Sequence, residues 1–167
     1  MNCDRLPSSI SYTIFYKDYL VPSRPVIFTD VSTQWPAISR WIKDNNLDVS
    51  QLCRDFGSSA VNVLRKNGET GIITFSEFVQ NMAHEQTYLK DFHFCLARPD
   101  LDLYKIPHMF ADDWFNMEAV FSGIDDYRFM YFGTDGTFTP MHTDVGGSLS
   151  WSTNITGKKE TKQQKKK

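Results

Sequence analysis

From Tyr127 to Ile155 the chain holds about three strand-like runs bounded by turn residues, and from Glu160 onward it has no apolar residue. Three strands do not close a barrel, because closure needs more of them and an open edge leaves backbone N–H and C=O groups unpaired. The expected fold class is therefore α+β, mainly β toward the end. Mixed helices and strands fill an N-terminal portion over 1–120, and the first strands of an incomplete barrel lie over 121–159. A lysine-rich tail over 160–167 is expected to be disordered. Aromatic residues make up 14% of the sequence and hydrophobic ones 41%, which supplies a core and excludes a wholly disordered chain.

The net charge of −2 hides a split. The last ten residues hold six Lys and one Glu, a net of +5, so residues 1–157 hold 12 basic and 19 acidic groups, a net of −7. An acidic body with a basic end is not the footprint of a nucleic-acid-binding domain, which carries its positive charge on a folded face. No run approaches the roughly 18 apolar residues of a membrane span, and the start, Met1 to Tyr12, has no signal-peptide core. Cys3, Cys53 and Cys95 are odd in number and far apart, which predicts buried free thiols for Cys53 and Cys95. The compartment expected is reducing, cytoplasmic and/or nuclear.

Local signals set most elements. Ser11 is placed to cap a helix with Phe15 and Tyr19 on one face, ending before Pro22. Pro25-Val-Ile-Phe-Thr reads as a buried strand, and Trp35-Pro-Ala with Trp41 as a connection with a helical turn. Asp48 to Phe56 predicts a helix stopped by Gly57. Asn67-Gly68 between Val61, Val63 and Ile72 to Phe75 predicts a hairpin. Ser76 then opens a helix burying Phe78, Val79 and Met82. Tyr88 to Phe94 reads as a strand, Pro107 to Val120 as a helix, and Tyr127 to Gly133 as an aromatic strand followed by an Asp135-Gly136 turn. Further strands are expected over Pro140 to Asp144 and Ser148 to Ile155, around a Gly146-Gly147 turn.

The one metal-like spacing is His142-Thr143-Asp144. On a strand, residues two apart share a face, so imidazole and carboxylate can meet one cation, whereas on a helix they diverge by about 200°. Such a pair also occurs as a polar edge pair or a hydrogen-bonded histidine, and the other histidines, His84, His93 and His108, read as surface or satisfied core. The surroundings of His142 add chemistry. Thr139 brings a hydroxyl toward the same pocket, and the lysines after Gly157 can reach a ligand carboxylate. Together these describe a site for iron and a dicarboxylic keto acid.

Tyr88-Leu-Lys-Asp-Phe-His-Phe, Asp125-Asp-Tyr-Arg-Phe, Phe138-Thr-Pro-Met-His-Thr-Asp, Ser150-Trp-Ser and Gly157-Lys-Lys together resemble the JmjC family of Fe(II)- and 2-oxoglutarate-dependent oxygenases. Pro25-Val-Ile-Phe and Trp35-Pro-Ala are similar to the family's lead-in, and the resemblance covers most of residues 10–159. It implies a double-stranded β-helix, a cupin-like jelly roll, incomplete here. It also implies Fe(II), 2-oxoglutarate as co-substrate decarboxylated to succinate, and lysyl C4 hydroxylation of a translation-termination release factor as protein partner. By position it makes His142 and Asp144 iron ligands, with Thr139 and Lys159 on the distal carboxylate of 2-oxoglutarate and Tyr88 a further candidate for that role.

The family's third ligand is a histidine on a later strand. No histidine or cysteine follows Asp144, and Thr161 stands where the family has an aromatic residue. The expectation is a truncated, inactive chain whose open half-barrel exposes Phe129, Tyr131 and Trp151 or their neighbours. The alternatives are a non-catalytic pseudo-oxygenase that binds protein and a JmjC histone lysine demethylase. No zinc-binding cysteine cluster of a histone reader accompanies the latter.

Overall fold

A computed structural model describes residues 3–162, so the tail expected to be disordered lies for 163–167 outside the described residues. The chain divides into two compact units: one of 1–46, 103–112 and 140–167, the other of 47–102 and 113–139.

In the first unit, β1 (Asp4–Leu6) pairs in parallel with β2 (Val26–Phe28). Between them, α1 (Tyr12–Phe15) starts at Ser11, whose side chain accepts the Ile14 N–H, and continues as a π-helical turn over Tyr16–Leu20. The cap satisfies one of the donors every helix start leaves open, and the four-residue spacing buries Phe15 and Tyr19 on one face, as the sequence indicates. They pack with Met109, Phe28 and Phe110, with Phe110 edge-on to Phe15 at 5.7 Å. The strand at Val26–Phe28 is not buried: Ile27 is exposed, because a two-stranded ribbon has one covered face at most. Pro36, fixed at helical φ and lacking the N–H a first turn cannot use, opens α2 (Pro36–Trp41). A hairpin of β3 (Ile42–Lys43) and β4 (Asn46–Leu47) follows.

The second unit is a four-stranded antiparallel sheet with helices. α3 (Val49–Phe56) is capped by the Asp48 carboxylate. β5 (Ala60–Leu64) and β6 (Thr70–Thr74) form the expected hairpin, with Gly68 at φ 86°, a conformation open to glycine at no steric cost. α4 (Phe75–Glu85) begins one residue earlier than expected, because Thr74 and Glu77 form a reciprocal capping box. β7 (Tyr88–Phe92) pairs with β5, and β8 (Met130–Gly133) completes the order β6-β5-β7-β8. Alternation sends Val61 and Val63 inward with Leu89. Phe75 and Phe78, fully buried, join Phe56 and Phe92 around them. That is a mixed α+β arrangement, as expected.

Several expectations fail for identifiable reasons. The single helix over Pro107 to Val120 is instead a 3-10 turn at His108–Phe110 and a separate α6 (Trp114–Ser122), after the short α5 (Phe94–Ala97). Asp113 breaks the run by using its carboxylate to cap the Asn116 N–H. The aromatic strand is only Met130–Gly133, and no strand forms over Pro140 to Asp144 or Ser148 to Ile155. Among the described residues no other strand pairs with them, and a strand is defined by its partner. Cys53 and Cys95 form no disulfide, as expected, but they are half-buried instead of buried. Tyr131 is exposed, while Trp151 is half-buried, stacked on Phe110 at 5.1 Å and edge-on to Trp35 at 6.2 Å. No helix among the described residues is long and apolar enough to cross a membrane.

Candidate metal centre

After β8, the Asp135-Gly136 turn forms as the sequence predicts, with Gly136 at φ 83°, and the chain runs on through Thr139 to His142. Although no strand forms there, His142 and Asp144 do meet: His142 Nε2 lies 3.2 Å from Asp144 Oδ1. Two local bonds replace the missing sheet. The other ring nitrogen, Nδ1, lies 2.8 Å from the carbonyl oxygen of Pro140. A carbonyl only accepts, so Nδ1 must carry the proton that it donates. Asp144 Oδ2 accepts from the Ser150 hydroxyl at 2.5 Å. The 3-10 turn Val145–Gly147, with Gly146 and Gly147 both at positive φ, brings Ser150 back to the carboxylate.

These bonds decide what the pair can do. With its proton on Nδ1, a neutral His142 points an Nε2 lone pair at a carboxylate oxygen that also carries only lone pairs. At 3.2 Å that contact is repulsive unless a proton or a cation lies between the two atoms. Adjacent ligands on one metal, at bonds near 2.1 Å and right angles, stand about 3.0 Å apart. The bite therefore fits a divalent transition metal. Pro140 and Ser150 supply the outer hydrogen bonds that ligating imidazoles and carboxylates characteristically have. Among the described residues, no third His, Cys, Asp or Glu completes a ligand cluster.

A second histidine–carboxylate pair is built oppositely. In the second unit, His93 Nδ1 is 2.9 Å from Asp126 Oδ1, and Arg128 Nε donates to Asp126 Oδ2 at 2.5 Å. Asp126 is buried, and both its oxygens are engaged by donors, so it has no lone pair aimed at an opposing one. This pair is structural. It bears out the satisfied reading of His93.

The anion-binding candidates fall into separate groups. In the second unit, the Tyr88 and Thr139 hydroxyls lie 3.2 Å apart. Gly133, opposite Tyr88 in the β7–β8 register, makes room for that ring: a Cβ there would stand 2.8 Å from Tyr88 Cδ2. Two hydroxyls so placed can donate jointly to one carboxylate. In the first unit, Lys159 Nζ donates to Ser152 Oγ at 3.1 Å, a neutral partner. The sequence argument missed Ser150 and Ser152 as participants. Their alternation around Trp151 is the signal, since residues two apart on an extended backbone share a face.

Comparison with known proteins agrees with this chemistry. The cupin-like domain family matches residues 12–162, and the chain belongs to it, within its JmjC branch. It is 32% identical to the chicken (Gallus gallus) 2-oxoglutarate and iron-dependent oxygenase JMJD4 over 91% of this chain and 40% of that protein. It is 33% identical to the human (Homo sapiens) protein of the same name over 92% of this chain and 41% of that protein. The Arabidopsis thaliana arginine-specific demethylase JMJ20 is 33% identical over 90% of this chain and 38% of its own length. The chain thus spans about two-fifths of the length of these three relatives.

Proposed function

We propose that this chain carries the iron-binding and 2-oxoglutarate-binding part of a JmjC protein hydroxylase. The observation that carries the reading is the His142–Asp144 pair, whose facing lone pairs at 3.2 Å require a cation or a proton between them. His142 Nε2 and Asp144 Oδ1 would hold the iron, with Pro140 fixing the imidazole tautomer and Ser150 orienting the carboxylate. A metal held there would supply the oxygen activation of a 2-oxoglutarate-dependent oxidation. By the resemblance of their motifs, Thr139, Lys159 and Tyr88 are the residues proposed for the distal carboxylate of 2-oxoglutarate, hydroxyls donating and an ammonium neutralising.

The substrate proposed is a lysyl side chain of a translation-termination release factor, hydroxylated at carbon, in the cytoplasm or nucleus. This rests on the resemblance that the motifs quoted above carry. The 167-residue chain alone is proposed to be inactive, because two protein ligands select and retain iron poorly where three define the facial site. The test incubates the purified chain with Fe(II), 2-oxoglutarate and release factor and measures succinate. No succinate above background is expected, and robust turnover would overturn the two-ligand account.

A further inference from the structure

Helix α6 is apolar almost all round yet buries a single side chain, Ala119. It is held by its polar residues: Asp113 caps it, and Asn116 Oδ1 accepts the Tyr127 N–H at 2.8 Å. Its large side chains face solvent, with Trp114 78%, Met117 58%, Val120 77% and Phe121 83% exposed. Trp114, Met117 and Phe121 follow the three- and four-residue steps of a coiled-coil seam, and the exposed Ile124 lies just past the left-handed Gly123 that ends the helix. Together they present on the order of 600 Å² of apolar surface, at or above the largest patch of a typical monomer.

Charge says what fits the seam. Between Lys105 and Arg128 the sequence has five carboxylates and no Lys or Arg, and of these Glu118 and Asp125 are exposed beside the apolar side chains. A second copy of this chain would set each acidic rim against another, and like charges across an interface are unfavourable. The lysine-rich end, Lys158 to Lys167, has the right charge but no apolar residue to fill the seam. We propose that α6 is a docking surface for a basic amphipathic helix of a partner protein, its apolar stripe on Trp114, Met117 and Phe121 and its cations against Glu118 and Asp125. That is helix-on-helix recognition with complementary flanking charges.

The probes are two synthetic amphipathic helices with leucine on the apolar stripe, one flanked by lysine and its twin by glutamate. Binding to the full chain is read by fluorescence anisotropy. The lysine-flanked peptide is expected to bind about tenfold tighter at low salt, with the margin shrinking at high salt. Phe121→Asp should weaken it by about tenfold or more, while Ile72→Asp, at another exposed apolar residue, should leave it unchanged. Circular dichroism confirms that both variants fold, as the exposure of both side chains implies. Equal binding of the twins, no binding of the lysine-flanked peptide, or a homodimer in sedimentation that Phe121→Asp disperses would each overturn the proposal.

Discussion

Asp126→Asn separates a structural histidine–carboxylate pair from a metal-binding one. Asp126 receives His93 Nδ1 at 2.9 Å on one oxygen and Arg128 Nε at 2.5 Å on the other, with 6% of its side chain exposed. Asparagine keeps one oxygen for the Arg128 donor but loses the charge, and its NH2 group can face His93 Nδ1 only if the ring gives up its Nδ1 proton. A hydrogen bond to a charged group contributes about 1.5–3 kcal/mol, and breaking a fully buried ion pair costs about 3–5 kcal/mol. Here the side chains of His93 and Arg128 are 31% and 36% exposed, so water recovers part of that loss. The expected destabilisation is about 2 kcal/mol, seen as a drop of about 1 M in the urea midpoint with the slope unchanged. The same change at the more exposed Asp144 should cost no more than about 0.5 kcal/mol. A neutral Asp126→Asn, or an equal loss in Asp144→Asn, would refute the contrast drawn between the two pairs.

Two further outcomes follow from local geometry. The Thr74 backbone N–H and then its hydroxyl donate to the Glu77 carboxylate, holding its pKa below the ordinary value. The folded state therefore favours the charged form. The capping box contributes fully above the unfolded carboxylate pKa and loses its contribution as pH falls from there through the lowered folded pKa. Thermal melts from about pH 6 to about pH 3 should show a shallower acid-side loss in Glu77→Gln than in the wild type. Gly57 has an ordinary φ of −52°, but an added Cβ would meet the Cys53 carbonyl and stand 2.6 Å from Ser76 Oγ. Gly57→Ala should thus destabilise by about 1–3 kcal/mol in urea unfolding, and Ser76→Ala should recover part of it.

What the sequence makes legible follows from how far apart the deciding atoms lie. Ser11 and Asn67-Gly68 act on backbone groups within a few residues, so their cap and turn form as the pattern predicts, and Asp48, read as the first residue of its helix, caps it instead. The stretches after Thr139 have strand-like patterns, but a strand depends on a distant partner backbone, and among the described residues none pairs with them. The His142-x-Asp144 spacing does bring its two side chains together. The expected sheet does not do this; the Pro140 carbonyl and Ser150 hydroxyl do. The His93–Asp126 pair spans 33 residues, and no local pattern announces it. The exposed seam of α6 escapes for the same reason, since periodicity shows an apolar face but not whether anything covers it.

Cobalt(II) titration under anaerobic conditions, with the visible spectrum and paramagnetic broadening of histidine ring protons as readouts, reaches the pair at His142 and Asp144 directly. One weakly held equivalent should broaden the His142 ring signals. It should be lost in both His142→Ala and Asp144→Ala and retained in His84→Ala, whose side chain is exposed on α4. Failure of the wild type to take up the metal, or uptake that survives both substitutions, would contradict the metal-centre reading.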